Sequence, residues 1–318
     1  MFPLGNKELK IGILGFTEGN GHPYSWSAMF NGYDKAEMET CGFPVIPRYL
    51  EKQPEHTLGI PGAKITCICC TGYAGRDEAE HVARAAHIPT VYDRPEEMIG
   101  HVDAVIIATD DGNEHVDRCR PFVEAGIPMF IDKPLVNTEE DLQTFLRWHK
   151  EGAHFISGSC MRYCKDQEPY YVNRYELGDL RYIYSPMAKK YETYGIHALE
   201  RMYPLLGEGF VSVRHTGTKE KAVVHIKHKS GCDVNIVQSY DMATMGMMVL
   251  GSHQAVLFSG GDSYYSFKKQ LDLFVEWLRT GREPFPFSET VELMKLVIGG
   301  LRSRDEGGRE VFLTEIQE

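Results

Sequence analysis

The chain has 318 residues, 42% of them hydrophobic and 25% charged, with a net charge of −11. That length can bury a large core and suits two domains. The acidic balance argues against a nucleic-acid scaffold, which needs a clustered positive surface, and no apolar run approaches the length of a membrane span. The opening stretch MFPLGNKELKIG carries no signal-peptide pattern. The eight cysteines fall mostly in strand-like or helix-like runs, as at Cys67, Cys69, Cys70 and Cys119. These features read as a cytoplasmic protein with reduced, buried thiols. Cys160 and Cys164 stand four apart with no matching His/Cys pair, so no metal is expected.

In chain order, Lys10 to Gly15 (KIGILG) predicts a first strand. A glycine-rich loop follows, Gly15-Phe16-Thr17-Glu18-Gly19-Asn20-Gly21-His22-Pro23, and Pro23 suits the first turn of a helix carrying Trp26, Met29 and Phe30. Strand, glycine turn and helix aim backbone N–H groups at a pyrophosphate. Thr17 and Asn20 stand where G-x-G-x-x-G would put its second and third glycines, so a purely structural turn stays open at this point. Residues 43–62 hold four prolines and read as an inserted surface loop. Ile65 to Cys70 predicts the second strand. No carboxylate ends it; Thr71 and Arg76 stand there, either facing a 2′-phosphate or, for Arg76, simply solvated at a helix start. Asp77 to His87 reads as a helix, Thr90 to Tyr92 as a short strand and Pro95 to Ile99 as a short helix.

The organising stretch runs from Val102 to Pro134. Ala104 to Ala108 is a continuous apolar run, as in a strand buried on both faces. The loop Thr109 to Asn113 follows. A helix then carries Val116, Cys119 and Val123 to Gly126, with Pro121 inside it, where the helix is expected to kink or end. Ile127 to Ile131 delivers Asp132-Lys133-Pro134 to the same edge of the sheet, the edge where open α/β folds bind ligands. This alternation predicts a doubly wound parallel sheet over residues 1–134. Thr138 caps the next helix, which carries Leu142, Phe145 and Leu146, and Phe155 to Ser157 is a strand.

Beyond it, Leu180 to Tyr184, Val211 to Val213, Val223 to His228, Val234 to Gln238 and Ala255 to Phe258 read as strands without intervening helices. They predict an α+β domain over 135–318 with a largely antiparallel open sheet. In its helix Ile196, Leu199, Tyr203 and Leu206 share the core face. His197, Glu200 and Arg201 share another, either as a site or as a structural histidine beside a solvated pair. Two amphipathic helices, around Leu271 to Leu278 and Met294 to Leu301, complete the domain.

VDAVIIAT (102–109), EAGIPMFIDKPL (124–135), GIHALE (195–200) and the stretch 271–297 make the chain, from Lys10 onward, resemble the glucose–fructose oxidoreductase / inositol dehydrogenase (Gfo/Idh/MocA) family. The resemblance implies a Rossmann domain holding NAD or NADP, and hydride transfer between that cofactor and a hydroxyl or keto group of a sugar or polyol. Asp132-Lys133-Pro134 stands for the family's Glu-Lys-Pro motif. By the family pattern Lys133 hydrogen-bonds the reacting oxygen and His197 acts as base on the hydroxyl. Gly15, Phe16, Thr17, Gly19, Thr71, Arg76, Thr109, Asp110, His115, Asp132 and Lys133 are the candidate cofactor residues. Arg162, Thr193, Tyr194 and His197 are the candidate substrate residues.

Four departures stand out. Thr193 occupies the position of the family's aspartate, four residues before the histidine; a carboxylate there would raise the basicity of the imidazole. The glycine fingerprint is altered, the ribose carboxylate is missing, and Asp110 replaces a proline in a loop longer by one residue. Two alternatives to a dehydrogenase follow from them: a catalytically silent ligand sensor, or a lyase or epimerase that keeps its cofactor bound. Expected partners are the small substrate and further copies of the chain, as a dimer or tetramer, with neither nucleic acid nor membrane.

Overall fold

The computed structural model describes residues 2–243 and 246–317. By compactness the chain divides into two units, interleaved in sequence where a single boundary at 134/135 was expected. The first takes Met1–Asp132, Phe145–Ser157 and Phe267–Pro284; the second takes Lys133–Thr144, Gly158–Ser266 and Phe285–Glu318.

The first unit is built on a parallel sheet of six strands. These are β1 (Leu9–Gly15), β2 (Ala63–Cys70), β3 (Thr90–Val91), β4 (Ala104–Ile107), β5 (Met129–Ile131) and β6 (Phe155–Ser157), in the order β3-β2-β1-β4-β5-β6. The connections carry α1 (His22–Asn31), α2 (Lys35–Glu39), α3 (Val45–Leu50), α4 (Arg76–Ala85), α5 (His115–Glu124) and α6 (Glu139–Lys150). All four residues of β4 are buried, as the unbroken apolar run requires of a central parallel strand. Gly126, at φ +66, closes the turn after α5 in the left-handed conformation. The expected break at Pro121 does not occur; α5 runs through it to Glu124, with Pro121 in its last turn.

Residues 43–62 differ from the surface loop their prolines suggested. They hold α3 and a 3-10 turn at Glu55–Thr57, and Ile46, Leu50 and Ile60 are buried. Pro44 caps α3 and Pro47 lies in its first turn, where a missing N–H costs nothing.

The second unit is built on a mixed sheet. Its strands are β7 (Leu180–Ala188), β8 (Phe210–His215), β9 (Lys221–His228), β10 (Asp233–Ser239), β11 (Met247–Gly251), β12 (Ala255–Phe258) and β13 (Val311–Phe312). Their order is β12-β11-β7-β10-β9-β8-β13, antiparallel except between β7 and β10. Alternate burial along β9 and β10 puts one face of the sheet in the core. The helices of the chain beyond α6 are α7 (Glu168–Val172), α8 (Ile196–Leu206), α9 (Ser263–Thr280) and α10 (Phe287–Asp305). Strands β11 and β13 escaped sequence reading; β13 has two residues, too few to show a period.

Two histidines of the second unit are buried in the neutral form. His228 Nε2 meets the Glu208 carbonyl at 3.0 Å while Nδ1 accepts from Ser230 N. Nδ1 of His215 accepts from Gly217 N. Burial pushes both imidazoles below their ordinary value. Protons then bind the unfolded chain first as pH falls. The stability these groups contribute is present above the ordinary histidine value of about 6.5 and is lost as pH drops through the depressed folded values. Melting curves between about pH 7 and pH 5 are therefore expected to show a falling Tm, with a shallower slope for His228→Gln than for the unsubstituted chain.

Candidate functional site

The carboxyl edge of the parallel sheet gathers the loops after β1, β2, β4 and β5. After β1 the backbone N–H groups of Thr17, Glu18 and Gly19 find no acceptor among the described residues. Gly19 has φ +76, and a Cβ there would meet nothing within 4 Å. Gly15 is packed instead; a Cβ would come within 2.8 Å of Pro23. Phe16 is buried, with its N–H on the Thr71 carbonyl. The loop thus leaves a short run of N–H groups without a protein acceptor among the described residues ahead of α1, as an anion cradle requires.

After β4 the Thr109 hydroxyl is buried and has no hydrogen-bond partner. Its carbonyl lies 2.8 Å from His115 Nε2, so buried His115 fixes the loop from within. The Asp110 N–H donates to the Thr17 hydroxyl at 3.2 Å, joining the two loops. After β5, Asp132 is 1% exposed. Its Oδ2 accepts from Asn20 Nδ2 at 3.2 Å and meets His22 Nδ1 at 2.6 Å. Asn20 Oδ1 in turn accepts from the His22 N–H at 2.8 Å, and the His22 ring stacks on Trp26 at 4.2 Å. His22 is packed at the helix start and is also the partner of Asp132.

At the end of β2 sequence reasoning missed the main cation. Arg118, on α5, donates Nη1 to the Thr71 hydroxyl at 2.8 Å and pairs with Glu114. An arginine 47 residues away in sequence gives no local signal. Arg76 is half exposed and bonded to Glu80 and Asp93.

In the second unit two of the expected catalytic and substrate residues, Lys133 and His197, meet at Tyr194, and Arg162 does not. The Lys133 ammonium, in a side chain 1% exposed, lies 4.6 Å from the Tyr194 ring centre. The Lys189 ammonium lies 4.3 Å from the same centre and donates to the phenol oxygen at 2.7 Å. His197 meets the ring edge-on at 4.7 Å. Tyr194 and Thr193 belong to a π-helical turn, Tyr191–Gly195, that leads into α8. Thr193 makes no hydrogen bond to His197. Ser159 does, with Oγ 2.6 Å from Nδ1. Adjacent Glu192 points away and pairs with Arg304.

Behind His197 lies a buried ion cluster. Glu200 and Arg201, weighed as a solvated pair, are 1% and 0% exposed. Glu200 Oε2 accepts from Arg162 Nε at 2.5 Å and Oε1 from Ser159 N at 3.2 Å; Arg162 Nη1 also reaches Glu289. Arg162 stacks over Phe285 at 3.9 Å, and its Nη2 is buried with no hydrogen-bond partner. Burial pushes the Glu200 carboxyl above its ordinary value, against the pull of Arg162. Burial alone would lower the Arg162 guanidinium, but the two carboxylates hold it above its ordinary value. Cutting such a cluster leaves a buried charge uncompensated, which costs about 3–5 kcal/mol. Because Glu289 still serves Arg162, Glu200→Ala is expected at about 3 kcal/mol. Arg162→Met leaves two carboxylates unbalanced and should cost more. Urea unfolding of both variants checks the order.

Comparisons with known proteins agree with this architecture. Residues 44–156 match the model of an oxidoreductase family described by its NAD-binding Rossmann fold. No curated sequence matches. Among solved structures, a probable dehydrogenase from Thermotoga maritima aligns over 97% of this chain and 100% of its own, at 16% identity and a TM-score of 0.74. The myo-inositol 2-dehydrogenase from Lactobacillus plantarum aligns over 98% and 100%, at 16% identity and 0.74. A myo-inositol dehydrogenase from Corynebacterium glutamicum aligns over 96% and 98%, at 18% identity and 0.72. The fold is therefore shared end to end with these structures, and residues 44–156 are similar to the NAD-binding Rossmann fold of the Gfo/Idh/MocA oxidoreductase family.

Proposed function

We propose that the protein is a nicotinamide-dependent dehydrogenase that oxidises a secondary hydroxyl of a small polyol or sugar, or reduces the matching ketone. The observation that carries this reading is the grouping of buried Lys133 and buried His197 around the half-buried Tyr194 ring. The first unit offers a binding loop for the dinucleotide: the unbonded N–H groups at Thr17 to Gly19 for the phosphates, and the buried Thr109 hydroxyl, which has no hydrogen-bond partner among the described residues. When bound, the nicotinamide supplies the hydride acceptor or donor.

The chain's own residues supply aim and proton transfer. The Lys133 ammonium donates a hydrogen bond to the reacting oxygen and stabilises negative charge as it develops there. His197 takes the hydroxyl proton in oxidation and returns it in reduction. Tyr194 holds Lys133 by its ring face and His197 by its edge, so the two groups keep a fixed spacing. Myo-inositol and scyllo-inositol dehydrogenases stand among the structural neighbours, and one neighbour is a complex with NAD+ and L-tartaric acid; these make polyols and hydroxy acids the first compounds to screen.

A thermal-shift titration with NAD+, NADH, NADP+ and NADPH tests the cofactor. Ligand at 100 times its Kd adds about 2.7 kcal/mol, and one redox pair should stabilise the protein by about that amount. If none does, and denatured protein releases no nucleotide, the reading fails. With a substrate in hand, Lys133→Ala and His197→Asn are each expected to lower kcat by about 10²- to 10⁴-fold, followed by nicotinamide absorbance.

The outer face of the second sheet carries Tyr182, Tyr184, Val223, Met248 and Leu257, all exposed. Tyr184 pairs with Met248, and Met248 with Leu257, so these apolar side chains form one patch. A second copy of the chain is its proposed cover. Light scattering should give a dimer or larger, and Leu257→Glu with Tyr184→Glu should give monomers.

A further inference from the structure

His197 is held by a residue that no sequence motif singled out. Ser159 follows β6 and is 1% exposed. Its Oγ accepts the Met161 N–H at 3.0 Å and lies 2.6 Å from His197 Nδ1. Its own N–H donates to Glu200 Oε1, and Arg162 Nε holds the other oxygen of that carboxylate. The backbone of Ser159 is thus tied to α8 one turn beyond His197, and its hydroxyl is tied to the imidazole itself. All four bonds that set this geometry are buried, where hydrogen bonds are strong and a lost partner is costly.

From this arrangement we infer that Ser159 is the positioning residue of His197: it occupies Nδ1, sets the plane of the ring and directs Nε2 to the reacting hydroxyl. Serine does this without adding charge. With Nε2 as the accepting nitrogen, Nδ1 carries a proton in both states of the ring, and the hydroxyl accepts from Nδ1–H in each, more strongly when the ring is charged. The inference rests on the reading of His197 as the proton acceptor. It concerns a residue that touches neither substrate nor cofactor.

The other groups around the ring are charged or titratable too. Tyr194 meets it edge-on, the Lys133 and Lys189 ammoniums lie over that tyrosine, and Glu200 with Arg162 lies one turn along α8. Ser159→Ala leaves all of them in place and removes only the hydroxyl. A hydrogen bond accepted from the imidazolium favours the charged form, so its loss lowers the ionisation of His197. The ascending limb of kcat/KM against pH should then move to lower pH, by about half a unit or more. kcat should fall about 10- to 100-fold with little change in KM. Ser159→Thr, which keeps the hydroxyl, should restore both.

The same shift is read without turnover by NMR titration of histidine-labelled protein, with His197→Asn assigning the resonance. A His197 midpoint and a pH limb that stay put in Ser159→Ala overturn the inference, even if kcat falls. If the unsubstituted protein oxidises no hydroxylated substrate, the proposed function fails on its own. The NMR midpoint then still decides whether Ser159 holds the ring. Should the alanine variant not fold, Ser159→Cys, with its weaker acceptor, is measured in the same way.

Discussion

A carboxylate that has to be buried organises the second unit. Glu200 sits on α8 with no solvent access, and an unpaired carboxylate there would cost several kcal/mol. Its two oxygens are satisfied from the chain that follows β6, by Ser159 N and Arg162 Nε. That requirement brings the 159–162 segment onto α8, and with it come the Ser159 hydroxyl at His197 and the Arg162 guanidinium over Phe285. Gly158 belongs to the same constraint: a Cβ there would meet Glu200 Oε1 at 2.9 Å. Charge burial of this kind adds little net stability, but it leaves few alternative arrangements for the groups around it.

A comparable device appears in the first unit. Asp132 ends β5 in a buried position and is met by Asn20 and His22 from the loop after β1. The loop, with Thr17 and Asn20 at two of the fingerprint's glycine positions, is therefore shaped by side-chain bonds to a distant strand. Asn20 looks like an erosion of a glycine fingerprint when read along the chain. In three dimensions it caps the first turn of α1 and reaches Asp132 at once.

The strands of the parallel sheet were legible because burial on both faces leaves an unbroken apolar run, as at Ala104 to Ile107. Lys133, His197 and Tyr194 were legible because they lie in or beside recognisable motifs. The environment of those residues was not. Arg118 reaches Thr71 across 47 positions, Ser159 reaches His197 across 38 and Arg162 reaches Glu289 across 127. Periodicity reports on neighbours within a turn or two, and none of these pairs is local. Burial of Glu200 and Arg201 escaped for a related reason. Polar residues on a helix face read as solvated unless their partners elsewhere in the chain are known. Prolines misled at residues 43–62, since two of the four mark the beginning of α3.

All eight cysteines are buried and outside disulfides, and burial pushes the Cys69 and Cys164 thiols up to about 11. Thiolate is the form that reacts, so alkylating reagents meet almost no nucleophile while the fold is closed. Modification then proceeds at the speed of opening. Cys41, Cys67, Cys69, Cys70 and Cys119 belong to the first unit, and Cys160, Cys164 and Cys232 to the second. The protein thus carries a built-in clock for each half: the order in which its thiols become labelled records which unit breathes first.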